Sequence, residues 1–122
     1  MRIFLITLAL MTLTACKHDE EAVISFIALG DAPNSKKEYP LYESLIKKVN
    51  AAEPSLVVHV GDTHGRKFCS NIEIDRMRSY MNNFTAPVLY TPGDNDWTDC
   101  EHAKDGNFDS LERLNYLRQT HF

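Results

Sequence analysis

Three short stretches of the chain end alike: Ala28-Leu29-Gly30-Asp31, His59-Val60-Gly61-Asp62 and Thr91-Pro92-Gly93-Asp94. Each closes an apolar, strand-like run. Successive aspartates fall about 30 residues apart, the length of one strand, helix and return loop. Glycine there lets the chain turn with positive φ, and the following aspartate projects its carboxylate from the strand tip. Parallel strands lie roughly 4.8 Å apart, so three such tips gather three acids in one pocket. Carboxylates that close repel one another unless a cation sits between them. The pattern predicts a metal site built on Asp31, Asp62 and Asp94; the plainer role for each is that of a turn or capping residue.

The segments between the tips read as alternating strands and helices. Val23 to Leu29 is β-branched and aromatic, a strand. Pro40 opens a helix whose apolar face is Leu41, Leu45, Ile46 and Val49, and Pro54 closes it. Ser55 to Val60 is a second strand. Ser70-Asn71-Ile72-Glu73 fits a capping box, with Ile74, Met77 and Met81 on the buried face beyond. Pro87 to Thr91 is a third strand, a loop runs from Pro92 to about Asn107, and Leu111, Leu114 and Leu117 mark a last helix. This order predicts an α/β fold with a parallel sheet and all three Gly-Asp pairs at its carboxyl edge, where such sheets bind ligands. His59 falls within a strand and is expected to be a satisfied core residue; His121 is expected at a helix end.

Residues 1–15 carry a secretory leader: Met1-Arg2 is positive, Ile3 to Leu13 is almost wholly apolar, and Leu13-Thr14-Ala15 precedes Cys16. Leu-Thr-Ala-Cys resembles the lipobox of bacterial lipoproteins, so Cys16 is expected to carry a lipid that anchors the chain to a membrane. Lys17 in the next position resembles the default for sorting to the periplasmic face of the outer membrane. Residues 16–22 then form a charged tether, and 23–122 the domain. The 122 residues carry 13 Lys and Arg against 17 Asp and Glu, a formal charge of −4 with no basic stripe, which gives nucleic-acid binding no electrostatic support. Cys69 and Cys100 are an even pair in an exported chain, which favours a disulfide; neither has a Cys or His partner at zinc-like spacing.

At the Gly-Asp stretches the chain resembles the calcineurin-like metallophosphoesterases. Their first motif is Asp-x-His, matched by Asp31-Ala32-Pro33. The second is a Gly-Asp followed by a spaced glycine, matched by Gly61-Asp62-Thr63-His64-Gly65. The third is Gly-Asn-His-Asp/Glu, matched by Gly93-Asp94-Asn95-Asp96. The longer run Tyr90 to Cys100 is similar to an exported bacterial branch of the family. The resemblance implies the amino-terminal half of a four-layer α/β/β/α sandwich and hydrolysis of phosphate mono- or diesters. It also implies two divalent ions (Mn, Fe, Mg or Zn). Asp31 would bind the first ion and Asp62 would bridge both. Asp94 stands in register with the family's metal-binding Asn, and Asn95 with the His that helps the leaving group. Asp96 stands with the acid that orients that His. A shifted register makes Asn95 the ligand and Asp94 its support. His64 is a candidate to reach a metal or a substrate phosphate, the alternative being an exposed loop histidine; Arg66 and Lys67 are candidates for phosphate contact or solvated charges.

The departures from the pattern shape what is expected. Pro33 replaces the first motif's His, and Asn95 has no proton to deliver, so substrates with easily departing groups are expected. Histidine ligands that the family takes from its second half do not follow. The chain is expected to be the amino-terminal half of the fold, truncated or a gene fragment, and inefficient alone. Its inner sheet face, drawn from Ile24, Phe26, Val57 and Val88, is expected to meet water. A reading from another class is a non-catalytic surface lipoprotein that keeps part of the fold.

Overall fold

A computed structural model describes residues 23–63 and 69–122. The expected leader 1–15, Cys16 and the tether 16–22 lie outside the described residues, as do His64, Arg66 and Lys67. Within them the order is β1 (Phe26–Leu29), α1 (Tyr39–Ala51), β2 (Leu56–His59), α2 (Asn71–Met81), β3 (Val88–Tyr90) and α3 (Ser110–His121). The strands form one parallel sheet in the order β1-β2-β3, as the alternation of strand and helix predicts. The loop after β3 holds two short 3-10 turns, Thr98–Glu101 and Ala103–Asp105. No helix among the described residues is long and apolar enough to cross a membrane.

Register decides which side chains meet the helices. Ile27, Val57 and Val88 stand side by side across the sheet, as do Leu29, His59 and Tyr90. Those two rows face α1 and α2 and pack with Tyr42, Ile46, Val49, Met77, Tyr80, Met81 and Phe84 into the core. The next row, Ala28, Val58 and Leu89, points the other way because side chains alternate along a strand. Phe26 pairs with Leu56, so it lies on that second face, opposite Val57. The expected wet face is thereby corrected: Val57 is fully buried and Val88 packs on the core. Phe26 (65% exposed) and Leu89 (59%) meet water instead, with Val60 beside them. A one-residue error in assumed parity exchanges the two faces of a strand. Ile24 is exposed too, because pairing starts only at Phe26, opposite the first residue of β2.

The helices follow their periodicity with local exceptions. Along α1, Tyr42 takes the buried place expected of Leu41, which is exposed, since the Tyr42 hydroxyl reaches His59 Nε2 at 2.9 Å. In α2, Ile74, Met77 and Met81 are buried as expected, but the capping box does not form. The Ser70 side chain makes no cap bond, and the Glu73 carboxylate turns to Tyr39 Oη (2.7 Å), Arg76 Nε (2.9 Å) and Lys36 Nζ (3.1 Å). Charge-assisted bonds of this kind are about twice as strong as neutral ones and outcompete the cap. Burial opposes ionisation of Glu73, yet these three donors hold its pKa below the ordinary carboxylate value.

Asp109 caps α3 by accepting from the Glu112 amide at 2.8 Å. Leu117 is buried, but Leu111 is exposed, and the inward place next to it belongs to Arg113. Its guanidinium donates at 2.7 Å to both the Cys69 carbonyl and Asn71 Oδ1, and it lies over the Phe108 ring at 4.7 Å. A buried arginine is tolerated only when its donors are filled in this way. It ties α3 to the start of α2.

Candidate metal centre

The three Gly-Asp pairs sit just past the carboxyl ends of the strands, as expected, but the glycines do not all act alike. Gly61 has a positive φ of 78°, and so do two of the aspartates themselves, Asp31 at 55° and Asp62 at 54°. Aspartate is among the few residues that adopt this left-handed conformation readily. Gly93 is needed for room: a Cβ there would strike the Asp62 carboxylate, and one on Gly61 would strike the Gly93 amide. The second and third tips therefore touch directly. The first tip joins them through the Asp31 amide, which donates to the Gly61 carbonyl at 3.0 Å.

Asp96 fastens that contact. It is 1% exposed. Its Oδ2 accepts from the amides of Gly93 and Asp62, both at 2.8 Å, and its Oδ1 from the Thr63 amide (2.9 Å) and hydroxyl (2.6 Å). The Tyr90 hydroxyl also bonds into this group; burial, and then the Asp96 charge, raise its pKa. Asp96 was expected to support the side chain of Asn95, but these bonds run to the backbone of the second tip. The Asn95 amide donates to Asp62 Oδ1 at 3.3 Å and to Asp94 Oδ1 at 3.0 Å.

Asp62 and Asp94 are brought together. Burial first, and then the neighbouring Asp94 and Asp96 carboxyls, push the Asp62 pKa up, against the opposing bond from the Asn95 amide. This is the signature of acids sharing one site. Asp31 stays apart: its carboxylate is exposed and its nearest recorded partner is Asn34 Nδ2 at 3.3 Å. Among the described residues, no three His, Cys, Asp or Glu side chains are grouped closely enough to hold a metal ion. The donor chemistry of Asp62 and Asp94 fits one hard divalent cation whose remaining places water can fill, as small oxygen-seeking ions permit. By itself the pair does not fit a two-ion cluster.

Two further elements frame the site. Cys69 and Cys100 form the expected disulfide, with Cα atoms 5.6 Å apart. It links the segment after the second tip to the loop carrying the third, and Cys100 Sγ rests 3.7 Å from the Asn95 carbonyl. His59 is a core residue, as expected. The Gly61 amide can only donate, so Nδ1 accepts from it at 3.2 Å and Nε2 carries the proton toward Tyr42. Burial drives its pKa down despite the nearby Asp96, keeping the ring neutral and unavailable to a metal.

Sequence reasoning missed Thr63, Tyr90 and Arg113, none of which belongs to a recognisable spacing. Thr63 had one usable signal, its place directly after a strand-tip aspartate. Comparison of the chain with protein-family models, curated proteins and solved structures found no match.

Proposed function

We propose that the chain carries part of a divalent-cation-dependent phosphoesterase centre of the calcineurin-like kind. The observation that carries this reading is the meeting of the Asp62 and Asp94 carboxyls at the ends of adjacent parallel strands. Asp62, held by two neighbouring loops, would be the principal ligand, with Asp94 beside it; Asp31, Asn95 and His64 are the candidates to extend the shell to a second ion. A bound ion would supply a water of lowered pKa as nucleophile and neutralise charge on the phosphoryl oxygens. The protein's own part is to keep two acids together in a partly dry site, where they favour a cation over separate protons. Asn95 offers hydrogen bonds but no transferable proton, so the centre would act best on esters with acidic leaving groups.

The open apolar face of the sheet supports the sandwich layering. All-parallel sheets are covered on both faces, and Phe26, Val60 and Leu89 would find their cover in a second sheet. The disulfide fits an oxidising compartment and so an exported lipoprotein anchored at Cys16. The alternative, a non-catalytic surface lipoprotein, is favoured by Pro33, which is fully buried where the family has a ligand histidine. Metal analysis and a chromogenic phosphoester assay with added Mn²⁺ separate the two. Turnover that needs Mn²⁺, steepens with leaving-group acidity and disappears in Asp62→Asn supports the enzyme. No bound metal and no turnover supports the lipoprotein alone.

A further inference from the structure

We propose that Asp96 is a positioning residue: its buried carboxylate gathers the Gly93, Asp62 and Thr63 amides and thereby holds the Asp62 and Asp94 carboxyls face to face. The clamp stands on geometry; the use made of it rests on the cation-site reading above.

A carboxylate offers about four lone-pair sites, and four donors from two different loops fill them here, at 2.8, 2.8, 2.9 and 2.6 Å. Three of the four are backbone amides, so the bonds fix main-chain direction rather than side-chain rotamers. The Asp62 amide is one of them, and Asp62 is held in the left-handed region at φ 54°. With its backbone pinned there, its side chain projects beside Gly93, where only a glycine leaves space. Gly93 is fixed by the same Oδ2, and Asp94 follows it directly. One oxygen thus sets the origin of both candidate ligands. Asparagine cannot replace this group, because its Nδ2 would point donors at donors. At 1% exposure, with both oxygens engaged by these donors, Asp96 does not reach a substrate or ion itself.

The test uses the full chain, ¹⁵N- and ¹³C-labelled, and reads amide exchange together with Mn²⁺ affinity. In Asp96→Asn, exchange of the Gly93, Asp62 and Thr63 amides is expected to rise at least tenfold while Val57 and Ile74 exchange as in the wild type. Mn²⁺ affinity should fall at least tenfold in parallel. Thr63→Val, which removes only the hydroxyl donor, should change affinity less than threefold. A folded Asp96→Asn with unchanged exchange at those three amides overturns the proposal, and so does a rise that extends equally to Val57 and Ile74. Should Asp96→Asn fail to fold, the wild type decides. Couplings across the hydrogen bonds from the Asp96 carboxyl carbon to the three amide nitrogens support the clamp, and their absence overturns it. If the wild type binds no Mn²⁺ but Asp96→Asn shows the local exchange response, the clamp stands and the phosphoesterase reading falls.

Discussion

Removing the disulfide is expected to cost this small domain a large share of its stability. The two cysteines are 31 residues apart in sequence. The chain-entropy relation for a closed loop of that length gives about 3.7 kcal/mol at room temperature. A domain of about 100 residues has roughly 5–15 kcal/mol in total, so the loss is between a quarter and three-quarters of it. With each kcal/mol worth about 4–8 °C at this size, Tm should fall by roughly 15–30 °C. The assay is urea and thermal denaturation of Cys69→Ala/Cys100→Ala against the oxidised wild type, followed by far-UV circular dichroism. Both sulfurs are buried, so the alanines also lose packing. Wild-type protein under reductant keeps the sulfurs and isolates the cross-link. A difference below about 1 kcal/mol between reduced and oxidised wild type would refute the reasoning. It would mean that Arg113, through its bond to the Cys69 carbonyl, already holds the two loops without the bridge.

Three further outcomes follow from the structure. Asp62 has its pKa raised by burial and by Asp94, so its contribution to stability is full below the unfolded carboxylate pKa and is lost as pH rises through the folded value. Asp62→Asn should therefore leave Tm at neutral pH equal to or above the wild type while Mn²⁺ binding is lost; calorimetry checks both, and a clear drop in Tm contradicts it. Asp105 is buried with neither carboxylate oxygen hydrogen-bonded, and the nearest cationic candidate, His102 Nδ1, is 3.9 Å away. Neutral Asp105→Asn should stabilise by about 1 kcal/mol or more in urea titration, since an unsatisfied buried charge costs more than an unsatisfied amide; an unchanged midpoint contradicts it. Phe26→Thr/Leu89→Thr should change unfolding free energy by less than about 1 kcal/mol and cut binding of a hydrophobic dye, whereas Ile74→Ala should cost roughly 2–5 kcal/mol.

The order of elements was legible because each strand is short, apolar and closed by Gly-Asp, and each helix keeps its spacing. The disulfide followed from counting cysteines. What sequence could not supply is what pairing alone determines. Phe26 and Val57 look equally suited to a core, and only the Phe26–Leu56 register puts them on opposite faces. Leu41 and Leu111 fit their helical stripes, yet Tyr42 and Arg113 take the inward places because each finds a polar partner on a distant segment. At the site, the aspartates at the strand tips were visible, but the reason for Gly93 was not. It is dictated by the Asp62 carboxylate, more than 30 residues away, rather than by its own backbone angle. The third acid of the loop, Asp96, announced itself by position and not by what it binds.

The central claim is that the second and third Gly-Asp tips form a divalent-cation site. Its most direct test is substoichiometric Mn²⁺ added to the ¹⁵N-labelled full chain, because paramagnetic broadening falls steeply with distance from the ion. The account predicts that the amides of Asp62, Asp94 and Asn95 broaden first, that Mg²⁺ competes the effect away, and that Asp62→Asn abolishes it. Uniform broadening, or selective broadening centred elsewhere and unchanged by Asp62→Asn, would contradict it.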